Sequence, residues 1–271
     1  AQQLARMLVD INVSQQEVRH LAEGCTPAKL CEIISHMNVL EMMMGLGLFF
    51  SIAMVWMGIQ FAVFMQHPYV KAALQEVSLD QVVESYRKNG DVISWSSLWY
   101  NSICSVFLLA LVFLWKRKRA SAFMGFAAPS WKQVAKIIGI FIGLIVVLEI
   151  LARQWTVLQD PDIPEIIGSS TNTLLMILGI GIAAPVFEEL AMRGLLLGSL
   201  RHVLDKHVSV AITACLFTLA HASQYDWQLL IVVLLPLSVL LGYARTETNS
   251  IWVPIALHIA NNISTIFFTT A

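Results

Sequence analysis

Apolar residues run through this chain in blocks too long for a soluble core. A helix needs about 20 mostly apolar residues to cross the hydrocarbon of a bilayer, and fewer where protein covers it. That criterion selects about seven segments: Met42–Met65, Leu98–Trp115, Ala135–Ala152, Thr173–Leu200, Val208–Ala222, Leu229–Tyr243 and Ile251–Thr269. Gln66–Ser97 has the polar content of an amphipathic or extramembrane connection, and Asp160–Thr171, with Pro161, Pro164 and Gly168, reads as a loop. Ahead of the first apolar run, Ser14 with Glu17 forms a capping-box pattern, Gly24 a helix stop, and Thr26-Pro27 the cap and first position of a second helix. The pattern predicts an all-α, polytopic transmembrane helical bundle with a short N-terminal helical hairpin. Three units follow: a cytosolic helical segment at 1–37, transmembrane helices and loops at 38–172, and core helices at 173–271.

Composition agrees. Of 271 residues, 57% are hydrophobic and 13% charged, with a mean hydropathy of +0.70, against roughly 25% charged in soluble domains. The net charge of −1 gives no basic field, so no nucleic-acid partner is implied. Cys25, Cys31, Cys104 and Cys215 lack CxxC spacing and read as packing thiols. Residues 1–37 mix polar and apolar positions, so no short signal peptide is expected and the first span serves as its own insertion signal. Lys116-Arg117-Lys118-Arg119 should lie on the cytoplasmic side, with Arg201, Lys206 and Arg245; Arg153 and the connection holding Lys71, Arg87 and Lys88 then fall outside. The N-terminus is expected to be cytoplasmic.

Against this background the charges inside the apolar segments need a reason. An ionisable group at mid-membrane costs on the order of 2.5–3.5 kcal/mol on insertion scales. In "PVFEELAMRGLLLG", Glu189 and Arg193 are spaced to bridge on one helix face. Glu188 is turned about 100° away, on a stripe of small residues with Gly181, Ala184 and Ala191, and must look to another helix. His221 follows Phe217 by one turn in "CLFTLAHASQ"; His258 and Asn262 share a face in "PIALHIANNISTIF". Counted inward from the cytoplasmic ends, Glu188, His221 and His258 lie at about 15, 20 and 12 Å. A carboxylate, two histidines and an amide at similar depth suit hydrolysis by an activated water. Hydrogen bonds that merely tie helices together would use the same residue types. Glu149, near a span end, is read as solvated at the interface.

Glu188-Glu189 with Arg193 (EExxxR), Phe217 with His221 (FxxxH) and His258 with Asn262 (HxxxN), in that order, resemble the CAAX protease and bacteriocin-processing family of intramembrane endopeptidases. The lead-in "LGYARTETNSIWVPIALH" is similar as well, so the resemblance covers about residues 173–269; residues 1–130 carry no family pattern. The resemblance implies Glu188 as general base, His221 positioning the water, His258 and Asn262 stabilising the oxyanion, and Glu189, Arg193 and Phe217 as orienting groups. It implies an integral membrane peptidase acting on a membrane-associated or lipid-modified, even prenylated, peptide.

Two other readings compete. A non-catalytic scaffold or regulator, as in bacteriocin immunity, would use the same cavity. A proton-coupled transporter would use Glu188 and His221 as a relay, though no internal repeat supports it. Separately, the N-terminal hairpin, with Leu4, Met7, Leu8 and Ile11 at helical spacing, could dock a partner or lie on lipid, though packing against the protein's own cytoplasmic face is the favoured reading. No cofactor is expected; the alternative is zinc on Glu188, His221 and His258, without an HExxH helix. Chelation separates these: turnover is expected to survive EDTA and 1,10-phenanthroline, and its loss, restored by added Zn²⁺, would establish the metal set.

Overall fold

The computed structural model describes residues 27–155 and 162–269, with side chains for 35–155 and 162–268. Helix α1, Pro27–Phe64, runs through the first span without a break, its first position held by a proline whose missing N–H costs nothing there. The capping-box pair Ser14 and Glu17, and Gly24, lie outside the described residues, as do Leu4, Met7, Leu8 and Ile11. The second helix of the expected hairpin is therefore the start of span one itself. Two short helices follow, α2 (Pro68–Ala73), where the His67 ring accepts from Tyr69 N–H, and α3 (Leu79–Tyr86), closed by a capping box of Ser78 and Gln81.

Helix α4 spans Gly90–Lys116 and so begins well before Leu98, the expected start of the second span. Asn89 caps it by accepting from Val92 N–H, and its first turn is held inside protein by Asp91, which accepts from Ser170 Oγ, Thr171 N–H and Thr171 Oγ1 at 2.7–3.0 Å. Hydropathy alone reads those turns as connection because it cannot see those partners. A 3₁₀ turn at Arg117–Arg119 leads into α5 (Ala120–Met124), which stops at Gly125 with φ +80°. Helix α6 is Trp131–Gln154. The expected loop at Asp160–Thr171 contains a short helix, α7 (Asp162–Gly168), with Pro164 in its first turn, where proline is tolerated; Asp160 and Pro161 lie outside the described residues. Then come α8 (Thr173–Leu200), α9 (Lys206–Ala220), α10 (Trp227–Thr248) and α11 (Trp252–Thr269). Among the described residues, five helices (α1, α4 with α5, α6, α8, α10) are long and apolar enough to span a membrane, and α9 and α11 are shorter apolar helices.

The two ends of the bundle differ in charge. At one end Lys116 pairs with Glu41, His202 Nε2 lies 3.3 Å from the same carboxylate, Lys206 meets Glu247 at 2.6 Å, and Arg245 donates to Phe123 O at 3.3 Å. Ile251 N–H donates to Gly125 O at 2.8 Å, which ties the start of α11 to the same end. At the other end Lys88 bridges Asp162 at 2.5 Å, and Asp91 holds the loop before α8. Lys116, Lys206 and Arg245 thus share one face of the bundle, away from Lys88.

Helix α8 packs most closely on α4. A Cβ on Gly179 would overlap the Ser94 carbonyl, so only glycine permits this approach. Ser97 Oγ donates to Gly179 O at 3.1 Å, Asn101 donates to Ser97, and Trp56 of α1 donates to Asn101. Phe49, Leu108, Phe187, Leu195 and Leu196 fill the apolar core between these three helices. Gly179→Val is expected to lower stability by about 3 kcal/mol, because backbone cannot step aside as a side chain can. Gly143→Val on α6, which meets nothing within 4 Å, should stay within about 0.5 kcal/mol; thermal unfolding in detergent compares them.

Candidate active site

The site is organised by helix α8, whose hydrogen-bond register changes along its length. Thr173–Met176 is α-helical, Ile177–Ala183 forms π turns, Ala184–Glu189 returns to α, Leu190–Leu196 is again π, and Leu197–Leu200 is α. In a π turn each N–H reaches back five residues, so the helix is locally wider and side chains shift in phase; such bulges recur at functional sites. Glu188 and Glu189 sit on the α segment between two π stretches, with Pro185 near its start.

Glu189 and Arg193 are fully buried and bridge at 2.8 Å. The guanidinium also donates to Ser238 O at 2.9 Å and Ser238 Oγ at 2.7 Å on α10, and lies 4.8 Å from the centre of the Phe217 ring on α9. The same Glu189 oxygen accepts from His258 Nδ1 at 2.9 Å. A carboxylate only accepts, so Nδ1 carries the proton and the opposite ring nitrogen is turned towards the site. That nitrogen, Nε2, lies 3.7 Å from Glu188 Oε2.

Glu188 differs from its neighbour in access: its side chain is 27% exposed, that of Glu189 0%. His221 caps the end of α9, with Nδ1 donating to Phe217 O at 2.9 Å, its ring 4.6 Å from Phe217 and stacked on Tyr225. The Phe217 ring also meets His258 edge-on at 6.0 Å. Asn262 Nδ2 donates to Ile180 O at 3.1 Å, and its oxygen accepts from Asn261 at 3.4 Å.

The structure thus brings Glu188, Glu189, Arg193 and His258 into one contact network. Phe217 joins Arg193, His221 and His258; Asn262 meets the backbone of α8 one helical stretch before the glutamates. His221 reaches the group through Phe217. Among the described residues, no three His, Cys, Asp or Glu side chains gather as a set able to hold a metal ion. Ser238 escapes sequence reasoning, because a lone serine in "LPLSVLL" is common in membrane helices and gives no sign of a distant arginine. Trp56, stacked on Phe187 at 6.0 Å next to Glu188, escapes it too, since aromatic residues in apolar runs are the norm.

Comparison with known proteins divides the chain. Residues 170–264 match the family described as type II CAAX prenyl endopeptidase Rce1-like. Residues 1–49 match a different one, dehydratase large subunit, so the N-terminal region does carry a family pattern where sequence reading found none. A glycerol dehydratase large subunit from Citrobacter freundii is 52% identical over 46 residues, which is 17% of this chain and 8% of that protein's length. No solved structure matches the chain.

Removing Arg193 tests the network. Arg193→Met leaves Glu189 as an uncompensated buried charge and is expected to cost about 3–5 kcal/mol. Adding Glu189→Gln should recover most of that loss in the same unfolding measurement, since the double variant has no orphaned charge.

Proposed function

We propose, from the match of residues 170–264 to the type II CAAX prenyl endopeptidase Rce1-like family, that this chain is an intramembrane endopeptidase that hydrolyses a peptide bond in a membrane-associated or lipid-modified substrate. The observation that carries this reading is the pairing of an accessible Glu188 with the inward nitrogen of His258 at 3.7 Å, while the His258 ring is held from behind by a buried Glu189–Arg193 pair. A purely structural carboxylate would be closed off from the site, as Glu189 is.

In this reading Glu188 takes a proton from the attacking water and returns it to the leaving amine. His221, with Nδ1 spent on Phe217 O, presents Nε2 to orient that water. Asn262, and His258 when it carries a proton on Nε2, donate to the oxyanion; one such donor is worth about 10²–10³ in kcat. No step needs a metal or cofactor. The charged end bearing Lys116, Lys206 and Arg245 is assigned to the cytoplasm on the positive-inside rule, so the substrate approaches from the cytoplasmic leaflet.

The test is cleavage in liposomes of membrane-anchored peptides, prenylated and unprenylated, with new termini identified by mass spectrometry. Wild type is expected to cut, Glu188→Ala and His221→Ala to lose activity beyond detection, and Asn262→Ala to fall by about 10²–10³ in kcat with little change in KM. Equal cutting by wild type and Glu188→Ala would sink the proposal, and Glu188-dependent proton flux without cleavage would replace it with transport. A preference for prenylated peptides would fix the substrate class.

A further inference from the structure

The amide of Asn262 does not end on a side chain but on a backbone carbonyl inside another helix, Ile180 O at 3.1 Å. A carbonyl in a helix interior normally has an N–H partner in its own helix, as Gly179 O has in Ala184 beside its second donor, Ser97 Oγ; Ile180 O is placed differently. In α register Ile180 O would accept from Ala184, but the Ala184 N–H goes to Gly179 O instead, one residue further back, as the π turn requires. In π register Ile180 O would accept from residue 185. That residue is proline and has no N–H to give.

We propose that Pro185 is a positioning residue: by withholding a backbone donor from Ile180 O, it hands that carbonyl to Asn262 and so fixes the carboxamide one helical turn beyond His258. This rests on the peptidase reading of the site. An amide nitrogen carries two hydrogens. With one held by Ile180 O and the amide oxygen engaged by Asn261, the carboxamide plane is set and the second N–H points in one direction. Pro185 lies three residues before Glu188 on the same α segment, so the helix that carries the base also sets the orientation of the amide donor. Helix α11 would otherwise be free to turn Asn262 about its χ angles, as a lone asparagine on an apolar helix does.

The variant that isolates this is Pro185→Ala, which restores one N–H in a helix interior where alanine is favoured, so the fold is not expected to suffer. Two readouts are taken on the full chain in nanodiscs. The first is steady-state cleavage: Pro185→Ala should lower kcat tenfold or more with KM within twofold, and Asn262→Ala placed in the Pro185→Ala background should add less than threefold. The second is independent of activity. With ¹⁵N-asparagine labelling and Asn262→Asp to assign the signal, the Asn262 side-chain amide should shift and gain rotational freedom in Pro185→Ala. An unmoved Asn262 amide in the folded variant overturns the proposal, as does unchanged kcat or a full multiplicative loss in the double variant. If wild type cleaves nothing, the peptidase reading fails, and the amide signal alone still decides whether Pro185 positions Asn262.

Discussion

One buried ion pair sets the arrangement of four helices. Glu189 and Arg193 stack on α8, and neither reaches water, so the partners they have come from within the bundle, while Glu189 Oε2 and Arg193 Nε have none among the described residues. Ser238 on α10 takes one arm of the guanidinium, the Phe217 ring on α9 lies against it, and His258 on α11 donates to the carboxylate. Apolar side chains in lipid give little preference for one helix rotation over another, because lipid tails are as apolar as the neighbouring helix. A fixed charge with directional bonds supplies that preference. The rotation of α10 and α11 about their own axes is therefore dictated by a pair that does no chemistry in the proposed reaction.

The two neighbouring glutamates divide the work by environment. Glu189 is enclosed and balanced by Arg193; Glu188 is partly exposed and lies 3.7 Å from the His258 ring nitrogen. The π turns on either side of them change the phase between the polar positions of α8, and the close approach at Gly179 presses this irregular stretch against α4. Irregular backbone at membrane depth persists only where protein covers it, and Ser97 and Asn262 each take up a carbonyl there.

Much of this was legible in the chain itself. Apolar length located all seven segments, and the four-residue spacing of Glu189 and Arg193 implied their contact. The stripe Gly181, Ala184, Glu188 placed Glu188 toward a neighbouring helix, where His258 now faces it. Other features depended on contacts distant in sequence. The early start of α4 rests on Thr171 binding Asp91, eighty residues away, and window hydropathy has no access to such a pairing. The register shifts in α8 left no mark except Pro185, which on its own reads as a kink. The match of residues 1–49 to the dehydratase large subunit family was invisible to periodicity, because the spacing of apolar positions carries no record of which family a segment comes from.

That relation gives the length of α1 a mechanical meaning. At about 1.5 Å per residue, its 38 residues reach about 57 Å, nearly twice the ~30 Å hydrocarbon thickness of a bilayer. The described part of the dehydratase-like stretch, residues 27–49, and the span are one rod, with Gly45 pressed against Ser199 and Glu41 against Lys116 as its bearing on the core. An unbroken rod transmits torque: a change of one residue in its length would swing everything on its far side by about 100° around the axis. The azimuth of residues 27–41 relative to α8 is thus geared to residue count.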